Sequence, residues 1–138
     1  MLSYRTASLH IRRGDFIQYR INFDKSYYLN ALSLFNDIEK VLIFSDDLSW
    51  CRENFVGKNF EYIDEGIYGD MCLMTLLDIN VICNSSYGWW GAYLNSTKGH
   101  KVFCPLHNSF LISLKRDKML NGSYLYPKEW IRINNRPD

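Results

Sequence analysis

Long apolar runs are missing from this chain of 138 residues. No stretch approaches the ~18 apolar residues of a membrane span, and the start MLSYRTASLHIRRGD lacks the roughly 7–15-residue apolar segment of a signal peptide. Charge of one sign is missing too. Sixteen basic residues face fifteen acidic ones, for a net charge of +1, which leaves no bulk electrostatic reason to bind nucleic acid or an anionic membrane. Cysteine is sparse: Cys51, Cys72, Cys83 and Cys104 form no CxxC pair, so no zinc knuckle, dithiol redox motif or disulfide scaffold is expected. His10, His100 and His107 have no partner at metal-ligand spacing, and no metal is expected. GxGxxG, GxxxxGK[ST] and GxSxG are all absent, which excludes the corresponding dinucleotide, P-loop and hydrolase readings. The chain reads as cytoplasmic.

With 47% hydrophobic and 22% charged residues, the composition is that of a folded protein. The length suits one domain that buries about two-thirds of its unfolded surface. Short apolar runs alternate with helical patterns. Strands are expected at 7–11, 41–44, 60–63, 81–83 and 101–104. Helices are expected from Ser26 to Glu39, from the Ser45-Asp46 caps through Phe55, at Asp70–Asp78, and at Trp89–Leu94 behind an Asn84-Ser85-Ser86 cap. After Pro105 the periodicity fades and INNRPD reads as a tail. Strands alternating with helices predict βαβ units and a Rossmann-like parallel sheet, with a fold core at about 7–105 and an extension over 106–138. Sequons at Asn84, Asn95 and Asn121 are read as structural in the absence of a secretory signal.

Ligands of such sheets bind where strands give way to helices. Three predicted strand ends carry polar clusters: His10-Ile11-Arg12-Arg13-Gly14-Asp15, Ser45-Asp46-Asp47 and Asn84-Ser85-Ser86. In an extended segment His10 and Arg12 share one side and Arg13 takes the other. An arginine fork matches phosphate oxygens, and Gly14 permits a sharp turn beside a ligand. The bland alternatives are a solvated strand end with Asp15 pairing an arginine, and helix caps in the other two clusters. Arg13-Gly14-Asp15 as an adhesion loop would need an exposed hairpin tip. The residues alone support an α/β domain with an anion-binding rim.

A resemblance adds to this. His10 to Asp15 is similar to the HxRRxD motif of α-1,2-fucosyltransferases, glycosyltransferase family 11. Phe44-Ser45-Asp46-Asp47-Leu48-Ser49-Trp50 resembles that family's second block, and Asp70 through Leu94 is the longest match. The blocks span about 7–105, with a weaker tail that includes Trp130. The resemblance implies the donor-binding half of a GT-B-type enzyme that moves L-fucose from GDP-β-L-fucose to a galactose 2-hydroxyl with inversion, without a metal. Related α-1,6-fucosyltransferases share the arginine motif. By that similarity Arg12 is the catalytic residue on the donor β-phosphate, with Arg13 supporting it. His10 and Asp70 meet guanine, and Ser86 the pyrophosphate, with Ser85 also donor-binding; Asp15, Asp46 and Asn84 are supporting residues. Tyr87-Gly88 departs from the aromatic-Ser usual in the family. Family members are about twice this length, so the acceptor half is expected to be absent. The expected partners are GDP-fucose and a galactose-containing glycan, with no nucleic acid, and peripheral association with the inner face of a membrane is allowed. The rival reading is a non-catalytic nucleotide-binding or interaction domain.

Overall fold

A computed structural model describes residues 4–107 and 125–136. Its elements run β1 (Arg5–Ile11), α1 (Gly14–Gln18), α2 (Lys25–Leu32), β2 (Ile38–Ser45), α3 (Leu48–Asn54), β3 (Phe60–Ile63), α4 (Gly66–Met74), β4 (Ile79–Val81), α5 (Ser86–Tyr93), β5 (Lys101–Pro105) and β6 (Ile131–Ile133). The strands form one sheet in the order β3-β2-β1-β4-β5-β6, every pair parallel. This is the Rossmann-like order, which reverses between β1 and β4 and so opens a crevice at their carboxyl ends.

Alternation along the strands assigns the two faces. Ala7, Leu9, Ile11, Val41 and Ile43 pack with Tyr27, Tyr28 and Ala31 of α2 and Cys51 of α3 in the larger core. Each leucine, isoleucine or valine among them contributes about 1.5–3 kcal/mol by leaving water. On the other face, Leu42 and Phe44 meet Met74 and Leu77, while Ile82, Val102 and Cys104 meet Ala92 and Trp130. That second face also buries polar groups. Asn80 Nδ2 donates to Ser8 Oγ and to Met74 O, both at 2.8 Å. Asn95 Nδ2 donates to Asn80 Oδ1 and Leu77 O, both at 2.7 Å. With its amide engaged and the residue buried, Asn95 has a structural role. Asn121 lies outside the described residues. All four cysteines are free, and three of them are buried.

Several boundaries differ from the sequence expectation. α2 stops at Leu32, where Ser33 Oγ bonds Asn30 O at 2.7 Å, and Ile38 pairs beside Arg5 in β2. α4 starts at Gly66 and ends at Met74, because the Asn80 amide takes Met74 O and the Thr75 hydroxyl takes Cys72 O. α5 begins at Ser86 rather than Trp89. β4 covers Ile79–Val81; Ile82 still donates its N–H to Phe103 O at 2.9 Å, and Cys83, as buried as a strand residue, lies beyond the paired residues. The INNRPD segment is not simply a tail. Ile133 pairs with Pro105, and Asn135 exchanges two bonds with the His107 backbone at 2.8 and 2.9 Å. The core therefore extends past residue 105.

Candidate functional site

A cleft of about 340 Å³ opens at the carboxyl ends of β1, β2 and β3, between the amino ends of α4 and α5. Its walls include His10, Arg12, Asp46, Ile67, Asp70 and Tyr87, over Phe44. His10 and Arg12 follow Ser8 at alternate positions of β1 and its extension, and so share its face.

Arg12 is held by carboxylates. Its guanidinium donates to Asp15 at 2.7 Å, and Nε lies 3.7 Å from Asp46. The group also sits 5.0 Å over the Phe16 ring. Nε is nevertheless buried without a hydrogen-bond partner, an unmet donor on the cleft wall. Asp46 also accepts from Arg13 N–H at 2.8 Å, and a Cβ on Gly14 would lie 2.6 Å from Asp46 Oδ2. Gly14 opens α1, and what the site requires of it is the missing side chain. Asp46 does not cap α3; Asp47 does, accepting from Trp50 N–H at 3.1 Å.

Arg13 takes the opposite side. It stacks 3.8 Å above Trp50 and donates to Asp47 at 3.2 Å. Its side chain is only 16% exposed, and with Gly14 in a helix the adhesion-loop reading is excluded.

His10 is buried, with its ring 5.3 Å from Tyr87. Burial, reinforced by the Arg12 charge and opposed by Asp46, lowers its pKa to about 4, so the imidazole is neutral at pH 7. Its Nδ1 lies 3.8 Å from the thiol of Cys83, which burial pushes up to about 11. Asp70 accepts from Glu65 N–H at 2.9 Å. Burial raises its pKa, the Glu65 bond opposes this, and Asp64 and Glu65 add to the rise. The Tyr87 hydroxyl donates to Ile67 O and ties the first turn of α5 to α4.

Asn84, Ser85 and Ser86 sit beside this cleft rather than in its wall. Ser85 is the N-cap residue of α5 without a side-chain capping bond. Ser86 is exposed. Asn84 Nδ2 donates to Ile21 O at 3.3 Å, and its Oδ1 is buried without a partner. Sequence reasoning missed Tyr87, Asp64 and Ile67 as wall residues. Only the block around Tyr87 carried any signal.

A sequence profile of glycosyl transferase family 11 matches residues 4–134. The chain belongs to that family. It is 35% identical over 114 residues to the O-antigen biosynthesis glycosyltransferase WbnK of Escherichia coli, covering 72% of this chain and 38% of the relative. It is 30% identical to an Escherichia coli alpha-1,2-colitosyltransferase, covering 93% and 47%. It is 28% identical to galactoside alpha-(1,2)-fucosyltransferase 1 of Bos taurus, covering 93% and 39%. The chain thus spans less than half the length of these relatives. No solved structure matches it significantly.

In this family 11 domain the cleft combines a fixed cation, a neutral imidazole and a carboxylate at the switch point of the sheet. Chemically, that set can offer donors to an anion and acceptors to N–H groups. Among the described residues no three His, Cys, Asp or Glu side chains gather as a metal site, and no helix is long and apolar enough to cross a membrane.

Proposed function

We propose that this chain supplies the donor site of an inverting α-1,2-fucosyltransferase and binds GDP-fucose in the cleft between β1 and α4. The observation that carries the reading is Arg12, a guanidinium held by Asp15 and Asp46 with a buried Nε that makes no hydrogen bond, in the same cleft wall as Asp70 and His10. An ionised Asp70 accepts two N–H groups from guanine's edge, which adenine does not offer. Neutral His10 packs beside the base without adding charge.

As the bond from fucose C1 to oxygen breaks, negative charge grows on the β-phosphate. A guanidinium already oriented by Asp15 and Asp46 stabilises that charge more in the transition state than in the ground state. Both carboxylates are occupied with this arginine and its neighbour's backbone. The acceptor, a galactose 2-hydroxyl, needs a base on the opposite face of the sugar, and none of these groups is assigned that role. In this reading the pyrophosphate extends from the cleft toward the first turn of α5, with Ser85 and Ser86. No metal is required in this reading. Free cysteines suit a cytoplasmic enzyme, one working at the inner face of a membrane if its acceptor is carried there. Because the chain spans under half of its relatives, donor binding without transfer is the second reading.

Calorimetric titration with GDP-fucose tests this, with ADP-glucose as the control. Arg12→Ala should weaken binding by about 1.5–3 kcal/mol, the value of a hydrogen bond to a charged group. Guanine-selective binding lost in the variant supports the reading. Unchanged affinity removes Arg12 from the site. Added galactoside acceptor then separates transfer from binding alone.

A further inference from the structure

A second cleft, of about 360 Å³, lies at the other end of the sheet, between the end of α5 and the starts of β5 and β6. Lys101 begins β5 and Ile131 begins β6. The donor cleft opens at the carboxyl ends, so the two are separated by the length of the strands, roughly 15 Å at ~3.3 Å per residue. Nothing in the donor reading uses this second cleft.

Its wall is an aromatic ring held in place. Tyr93 lies nearly parallel to Trp89, with centroids 4.7 Å apart and planes 13° apart, and meets Trp90 edge-on at 5.9 Å. Trp89 is itself fixed by a bond from Nε1 to Leu125 O at 2.7 Å and by contact with Trp130 at 5.8 Å. Tyr93 nevertheless remains 56% exposed. A ring so braced, yet turned outward, presents a flat apolar surface at little entropic cost.

The polar groups around it have spare capacity. His100 Nδ1 lies 2.8 Å from Thr97 O. A carbonyl only accepts, so Nδ1 donates to it and Nε2 is left outside this bond. Lys101 and Glu129 also line the cleft, and among the described residues neither enters an ion pair. One wall is therefore apolar and planar, and the rim offers both donors and acceptors with their charges balanced. A pyranose has the matching chemistry: an apolar face of C–H bonds and an equator of hydroxyls that both donate and accept.

We infer that this cleft binds a neutral pyranose unit of a glycan, stacked on Tyr93 with its hydroxyls on Lys101, Glu129 and His100. It is a second saccharide site, remote from the donor cleft, and does not depend on the donor reading.

Amide and indole NMR shifts of the full chain, titrated with lactose to roughly 50 mM, test this; the range suits the millimolar affinity expected of a small open site. The expected result is saturable shifts at Tyr93, Lys101 and the Trp89 indole, with His10 and Asp70 unmoved. Tyr93→Ala should weaken the response about tenfold, Tyr93→Phe should keep it, and Glu129→Gln should reduce it. A parallel titration with GDP reports on His10 and Asp70, so failure of either site is seen separately. Absence of saturable shifts around Tyr93 overturns the proposal. So does a response that survives Tyr93→Ala, and so do shifts at Tyr93 and Trp90 that follow protein concentration rather than lactose, which would mark a contact between copies.

Discussion

The imidazole of His10 occupies the space that a side chain on residue 88 would need: a Cβ built on Gly88 would overlap Nδ1 and lie 3.0 Å from the ring's Cγ. β1 and α5 approach this closely because Gly88 has no side chain, and the buried ring is thereby fixed beside Tyr87. Gly88→Ala should push the ring out of place, costing about 1–3 kcal/mol of stability in urea denaturation as overpacked cores do, together with a loss of GDP affinity. A variant as stable as the parent, with the same affinity, would mean that the ring moves aside freely.

The neutrality of His10 makes the fold acid-sensitive in a defined window. Its pKa is about 4 in the native state against 6.5 for the free group. Above pH 6.5 both states are unprotonated and the group contributes no slope. As pH falls from 6.5 to 4 the unfolded chain takes up a proton that the native one does not, and stability drops by about 1.4 kcal/mol per unit, about 3 kcal/mol in all. Urea denaturation at pH 7 and 4.5 measures the total change. Its difference from the same pair in His10→Asn isolates this share, and equal slopes in the two proteins would refute the assignment.

Gly14 and Asp46 form a second close pair, and a double-mutant cycle reads it. Gly14→Ala places a methyl 2.6 Å from Asp46 Oδ2, while Asp46→Ala frees the Arg13 N–H and the Arg12 guanidinium. Each should cost about 1–3 kcal/mol. In the double variant the methyl has room, so the costs should fall short of additive by about 0.5 kcal/mol or more. Strict additivity would show that the contact is relieved elsewhere.

Arg13 and Arg12 separate by side of the strand, and their variants should separate by assay. Arg13→Lys loses the planar stack 3.8 Å above Trp50 and should lower stability by about 0.5–2 kcal/mol, with GDP affinity unchanged in the folded protein. A fall in affinity as large as that of Arg12→Ala would place Arg13 in the cleft after all.

The alternation of β1 was legible in the sequence, and with it the side of the chain on which His10 and Arg12 lie together and Arg13 apart. So was the parallel α/β class, because continuous apolar runs such as Val41–Phe44 suit strands covered on both faces. Helix ends were less legible. Asn80 ends α4 from a strand that follows it, and Ile38 joins β2 because Arg5 lies beside it. Both signals lie outside the local pattern.

From sequence alone came the strand-helix alternation, the polar clusters at strand ends and the family resemblance, since periodicity and motif spacing are short-range properties of the chain. Tertiary structure alone decided the strand order, which sets β1 between β2 and β4 and thereby brings Asp46, Asp70 and Tyr87 around His10 and Arg12. It also decided that Asp46 fills the space beside Gly14, that Ile133 closes the sheet edge, and that Tyr93 faces outward on a stacked tryptophan. The reason is physical: parallel pairing and close backbone approach join residues far apart in sequence, and no local pattern encodes which distant partner a strand will meet.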